Sequence, residues 1–277
     1  MRVGKRLGVV VAWIVPLFLG ATMFHGNVHA ETLRISGTGG AIGGIRLLAE
    51  AFRKAEPGVD VIILPSIGSG GGIRAVLAGK LDIGLSAMPL DAEERARGGR
   101  ETPYARTPFV FGVNPDVKQF DVTLSDMIDI YSGRRTTWED GSPIRLVLRP
   151  TSDSDTIALK RMSRQMAESV ELSQKREGMI VAATDQVCAD TIERTSGSVG
   201  TTTLALVVSE KRGIRMLSLS GVKPSTKSLR DGTYPYTKTF YAVTRQAPSP
   251  VAARFIRFVR SPEGKAILSR VGHVPLP

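Results

Sequence analysis

The sequence has 277 residues, with 37 Lys and Arg against 26 Asp and Glu, a formal net charge of +11, one cysteine and three histidines. A single cysteine, Cys188, excludes a disulfide framework within the chain, and with His25 and His29 in the first thirty residues only His273 remains, which excludes a histidine-rich metal site. The basic residues form no long tract interleaved with aromatics, so nucleic acid is not an expected partner.

Residues 1–30 read as a secretory leader. Arg2, Lys5 and Arg6 give a positive start, an apolar stretch runs from Leu7 to Met23, and Val28 and Ala30 are the small residues that cleavage after Ala30 requires. Loss of those three basic residues lowers the charge excess from +11 to +8. In an exported protein such an excess favours anionic solutes. Glu31, not a cysteine, stands directly after Ala30, so no lipid anchor is expected there and the expected location is the periplasm. The chain from Glu31 to Pro277 is long enough for one large domain or two linked lobes.

Along that chain short apolar runs alternate with helical periods. TLRIS predicts a strand over 32–36, followed by a helix with Ile45, Leu48, Ala49 and Phe52 on one face, stopped by Pro57-Gly58. VDVIILP predicts a strand, GIRAVLAGK a short helix and LDIGLS a third strand. This β-α-β-α-β order argues a parallel sheet with crossover helices. FVFGVN, residues 109–114, predicts a fourth strand, SDMIDIYSGRRTTW a helix and turn, and IRLVLRP a strand. TSDSDTIALKRMSRQMAES reads as a loop and one long helix, with Ile157, Met162 and Met166 as packing residues. SGSVGTTTLALVVS gives a turn and a further element, and RMLSLSG and TKTFYAVTR are late strands. The chain closes in two helical pieces broken near Ser261-Pro262.

Three segments share the order strand, Ser/Thr/Gly turn, helix: SGTGGAIGG (36–44), GSGGGI (68–73) and RPTSDSDT (149–156). In an open parallel sheet such turns converge on one crevice. Each helix start offers unpaired N–H groups and the positive end of a dipole. Glycines such as Gly39, Gly40 and Gly70 let a ligand approach the backbone closely. Thr38, Ser69, Ser86, Ser154 and Thr156 add hydroxyls, and Arg149 adds a planar guanidinium suited to a tetrahedral oxyanion. The pattern points to capture of a small anion by backbone dipoles.

Nucleotide motifs fail. Ile42 and Ile73 stand where the third glycine of a dinucleotide fingerprint belongs, Gly79-Lys80 lacks the earlier glycine of a P-loop, and no G-x-S-x-G occurs. A serine hydrolase built on Ser69 or Ser154 is the rival reading. It needs a base, and His273 falls near an expected surface tail, leaving Lys80 or Lys160. Cys188, without a partner, reads as a small buried residue.

The blocks ISGTGG, GSGGGI…AGKLDIGLSAMPL, RPTSDSDT and SPEGKAILSRVGHVPL together resemble the phosphate-binding component of bacterial high-affinity phosphate ABC transporters, over nearly the whole chain after residue 30. The resemblance implies a type II periplasmic-binding-protein fold, an α/β fold of two lobes, each a mostly parallel sheet flanked by helices. Two strands would cross between them near Phe111 to Asn114 and Thr239 to Val243. Residues 31–112 and 241–277 would form lobe I and residues 113–240 lobe II. Phosphate would lie in the cleft against Thr38, the Gly39 amide, Ser69, Arg149, Ser154 and Thr156, and Asp155, between the last two, is added as a further expected contact. The resemblance implies no enzyme activity, no cofactor, no metal, a monomer, and delivery to an ABC transporter permease or a membrane sensor. The alternatives are another oxyanion (molybdate, tungstate or sulfate) or a sensor or interaction protein with an altered pocket.

Two departures stand out. Ala87 follows Ser86 where the family carries an aspartate that accepts the proton of phosphate, and Asp155 replaces a family glycine beside Asp153, in a loop one residue longer. An aspartate there caps the helix and complements its dipole, or replaces the missing proton acceptor, or itself fills the anion's place. A carboxylate at ~4 Å repels a monoanion by roughly 4 kcal/mol at an effective dielectric of about 20.

Overall fold

A computed structural model describes residues 31–277 as a continuous chain; the leader read over residues 1–30 lies outside these described residues. In chain order the elements are β1 (Glu31–Gly37), α1 (Gly39–Ala55), β2 (Val59–Ile63), α2 (Gly68–Leu77), β3 (Ile83–Ser86), α3 (Ala92–Ala96) and β4 (Gly99–Val113). Next come β5 (Asp121–Val122), α4 (Leu124–Ser132), β6 (Arg145–Leu148), α5 (Ser154–Lys160), α6 (Arg164–Lys175), β7 (Ile180–Val181), α7 (Asp185–Arg194), β8 (Ser198–Thr203) and α8 (Leu204–Ser209). The last are β9 (Arg215–Met216), β10 (Ser218–Leu219), α9 (Thr226–Arg230), β11 (Thr237–Arg245), α10 (Pro250–Val259), α11 (Pro262–Arg270) and β12 (Val274–Pro275).

The main sheet runs β2-β1-β3-β11-β4-β8-β6-β7. β1 pairs parallel with β2 and β3, and β6 pairs parallel with β7 and β8, as the alternating pattern predicts. The sheet as a whole is mixed, because β11 enters antiparallel between β3 and β4, and β4 runs antiparallel to β8. β4 begins at Gly99, not at Phe109. Its first half, GRETPYARTP, holds two prolines and several charges, a composition that speaks against a strand, yet pairing with β11 keeps it extended. At Pro108/Phe109 β4 exchanges partners: Gly99–Pro108 pairs with β11 and Phe109–Val113 with β8.

That exchange also divides the apolar interior. One core gathers Leu33, Ile35, Ile45, Leu48, Phe52, Phe240, Phe255 and Leu268; a second gathers Phe109, Phe111, Met127, Tyr131, Trp138 and Val199. β4 runs through both. Ala205 of α8 packs into the first core, and Thr107 ties it there by donating to the Gly272 carbonyl (2.9 Å) and accepting from the Ala205 amide (3.1 Å).

The glycine-rich turns contract in the structure. α1 starts at Gly39 and α2 at Gly68, so most of those glycines lie in first helical turns. Their use is close packing: a Cβ on Gly72 would lie 2.9 Å from Gly37 Cα, and one on Gly44 would lie 2.8 Å from His273 Cε1. Residues 151–169, expected as a loop and one helix, form α5 and α6, separated where the Ser163 hydroxyl accepts from the Met166 amide (3.0 Å). The break at Ser261-Pro262 falls as expected, with Ser261 capping α11 and Pro262 in its first turn.

Candidate functional site

α1 and α7 meet start to start. The Thr184 hydroxyl caps α7 by accepting from the Val187 amide (3.2 Å), which leaves Asp185 in the first turn with its side chain free to reach outward. Asp185 Oδ2 accepts from the Gly39 amide (2.9 Å) at the start of α1, in a buried contact. Gln186 Nε2 donates to the Gly39 carbonyl (3.1 Å) and to Glu210 Oε1 (2.8 Å). Only glycine permits this approach: a Cβ on Gly39 would lie 2.2 Å from Gln186 Oε1 and 2.8 Å from Asp185 Cβ.

Arg149 follows β6 and is 3% exposed. Its Nη2 donates to Asp153 Oδ2 (2.8 Å) and lies 3.7 Å from Asp185 Oδ2. Its Nε and Nη1 are buried with no partner. Burial works against the guanidinium charge, but Asp185, Asp155 and Asp153 outweigh it and hold the pKa above the usual arginine value. Asp153 Oδ1 accepts from the Asp155 amide (2.8 Å), so Asp153 caps α5 while it binds Arg149. Burial, then the Asp155 charge, raises the Asp153 pKa against the pull of Arg149. Asp155 is 1% exposed and pairs with the buried Lys238 ammonium; burial pushes its pKa up, but Lys238 and Arg149 prevail and lower it.

The cluster therefore sets three carboxylates, Asp153, Asp155 and Asp185, against two cations, Arg149 and Lys238. Arg149 Nε and Nη1 are left buried without a hydrogen-bond partner, while Asp155 faces the Thr201 hydroxyl. Orphaned polar groups of this kind mark a place built for a polar guest or for water.

The sequence-predicted residues divide into two sets. Ser69, Gly70 and Ser154 line one cleft of about 170 Å³ with Arg74 and Asp153, so the second and third segments do face each other. Ser69 Oγ accepts from the Ala87 amide (3.0 Å), and Ser154 Oγ accepts from Lys238 Nζ (2.8 Å). Gly39 and Asp155 lie in the Arg149 cluster as described. Thr38 is buried at the start of α1 and its hydroxyl makes no capping bond. Gly40 faces the Phe240 ring, which a Cβ there would approach to 3.3 Å. Two hydroxyls are turned to the backbone. Ser86 donates to the Met88 carbonyl (2.6 Å) and accepts from its amide (3.0 Å), and Thr156 donates to the Arg149 carbonyl (3.2 Å). Ser154 also borders a second cavity of about 260 Å³ with Phe109, Met162, Lys238 and Tyr241.

One placement differs from expectation. His273 is not on a surface tail: it is fully buried beside Phe240 and Gly44, with Nδ1 3.1 Å from the Val271 carbonyl. Burial lowers its pKa to about 4. Lys80 is exposed, and Lys160 is held by Glu171 (2.9 Å). Cys188 is buried as expected, its Sγ donating to the Thr201 carbonyl (3.5 Å), and burial pushes its thiol up to about 12.

Sequence reasoning missed Asp185 and Lys238. Lys238 had a signal: in TKTFYAV the alternation puts it on the inward face with Phe240 and Ala242. Asp185 had none, because Thr-Asp at a helix start is ordinary capping chemistry.

A family model described as a PBP superfamily domain matches residues 25–263. The phosphate-binding protein PstS of Bacillus subtilis (strain 168) is 25% identical over 252 residues, covering 88% of this chain and 81% of that protein. Among solved structures, a protein of Clostridium perfringens with bound phosphate superposes with a TM-score of 0.79 at 22% identity, over 89% of this chain and 100% of the other. The periplasmic molybdate-binding protein of Azotobacter vinelandii gives 0.60 at 17% identity, over 88% and 99%. The two-cored α/β arrangement is thus the fold of these binding proteins, the resemblance read from the four sequence blocks holds, and the chain belongs to the PBP superfamily.

Proposed function

We propose that this chain is a solute-binding protein that captures a tetrahedral oxyanion, phosphate foremost, in the cleft between two lobes, for an ABC transporter. The observation that carries the reading is Arg149: a buried guanidinium with two nitrogen positions unspent, held where the starts of α1, α5 and α7 converge. The similarity to PstS supports phosphate as the ligand. We assign residues 31–112 and 241–277 to lobe I and 113–240 to lobe II; the partner exchange of β4 at Pro108/Phe109 supports a hinge just ahead of that boundary. An exported, periplasmic location accords with the leader pattern, and among the described residues no helix is long and apolar enough to cross a membrane.

One observation favours catalysis instead, the 2.8 Å contact of Lys238 Nζ with Ser154 Oγ. A lysine acts as base only when neutral. The same Nζ is paired with the Asp155 carboxylate in a buried contact, so its lone role visible in the geometry is to hold the Ser154 hydroxyl in place. Membership of a solute-binding superfamily supports reading the protein as a binder.

Calorimetry at neutral pH with phosphate, sulfate, molybdate and tungstate tests the proposal. Phosphate binding tighter than ~100 μM, about −5.5 kcal/mol, is the expected result. A fluorophosphonate probe separates the rival, since labelling of Ser154 or Ser69 favours catalysis.

A further inference from the structure

The Gly39 amide and the Arg149 guanidinium are two of the donors expected to form the anion site, and in the structure one oxygen atom reaches both. Asp185 Oδ2 accepts from Gly39 N at 2.9 Å and lies 3.7 Å from Arg149 Nη2. The contact joins α1, which packs in the first core, to α7, whose Cys188, Ala189 and Ile192 pack with Val147 and Leu206. Asp185 is 6% exposed, so this is no surface pair.

Resting on the anion-capture reading above, we propose that Asp185 is an affinity- and specificity-determining residue that acts as an internal stand-in for the ligand. Its carboxylate holds the anion's place against the start of α1, and an incoming anion must displace it.

The charge balance supports displacement over addition. With Asp153, Asp155 and Asp185 facing Arg149 and Lys238, a further anion added beside all three carboxylates meets an already negative cluster. Of the three, Asp153 is bound by its own helix cap and Asp155 by Lys238, whereas Asp185 holds one amide and a guanidinium contact longer than a hydrogen bond. Asp185 is the one of the three carboxylates with no cation within hydrogen-bond distance. Its departure frees the Gly39 amide and adds one more donor position to the unpartnered Nε and Nη1 of Arg149. A weak anion does not compete with an effectively intramolecular carboxylate, so Asp185 sets a threshold: it screens out anions that use only one of the two donors.

Two readouts on the chain from Glu31 to Pro277 test this, with inorganic phosphate as the probe and the variants Asp185→Asn and Asp185→Ala. The first is the Gly39 amide resonance without phosphate. It shifts upfield in Asp185→Ala relative to wild type and returns downfield when phosphate is added. The second is phosphate affinity, which rises by about tenfold or more in both variants, because the fraction of chains with a vacant site increases. The inference is overturned if the amide resonance does not move in the ligand-free variant, or if the variants bind phosphate measurably but no more tightly than wild type. If the amide moves as described while no chain binds phosphate, Asp185 does hold the α1 start and the phosphate reading is what fails. Asp185→Asn keeps the size of the side chain and Thr184 keeps its cap, so α7 retains its start in the variant.

Discussion

Lys238 Nζ donates at once to Ser154 Oγ (2.8 Å) and to the Asp155 carboxylate, joining β11 to the start of α5 in a buried contact. Both partners stand on the segment that the sequence reading assigned to the anion. Lysine and aspartate here neutralise each other, and the ammonium also holds the Ser154 Oγ in place.

Breaking that pair from one side is expected to be costly. Lys238→Met leaves Asp155 buried and uncompensated and should lower stability by roughly 3–5 kcal/mol. Adding Asp155→Asn to Lys238→Met should recover much of that loss. Urea unfolding of the two single variants and the double variant measures the coupling; additive losses would show that the contact carries little energy.

Arg149 should be intolerant of lysine. Arg149→Lys keeps the charge but loses the planar fork that serves Asp153 and the unpartnered Nε and Nη1 positions. Phosphate affinity should drop by at least ~10-fold, roughly 1.4 kcal/mol, by calorimetry.

Glycine at position 39 is required by contact with α7. Gly39→Ala places a Cβ 2.8 Å from Asp185 Cβ, which cannot swing away, and should cost ~1–3 kcal/mol by forcing α1 and α7 apart. Gly70→Ala is the control, because its Cβ meets only the flexible end of Arg74, at 3.1 Å. The thermal midpoint should fall for the first substitution and stay near wild type for the second.

His273 gives the fold an acid sensitivity of its own. Its folded pKa, about 4, lies below the ordinary value of 6.5, so the folded state binds fewer protons than the unfolded state between those values. Its contribution is fully present above pH 6.5 and is lost as pH falls toward 4, a change of roughly 3 kcal/mol. Unfolding free energies of wild type and His273→Leu at pH 7 and pH 4 should differ in their pH dependence by about that amount, with wild type the more acid-sensitive. Equal slopes would mean that the imidazole is protonated in the fold.

The sequence by itself determined the local elements and their chemistry. Alternation and helical periodicity marked β1, β2, β3 and β6, the Ser-Pro pair marked the start of α11, and the second and third Ser/Thr/Gly segments marked helix starts that face one cleft, because these signals act within a few residues of each other. Tertiary structure alone decided the rest. The first half of β4 is a strand only because β11 pairs with it, and β11 is placed by a fold that brings residue 237 beside residue 108. Asp185 meets Gly39 across 146 positions and Lys238 meets Asp155 across 83. Which carboxylate faces which cation depends on how helices dock on the sheet, and no periodicity records that, since a buried ion pair and a solvated surface pair are written with the same residues.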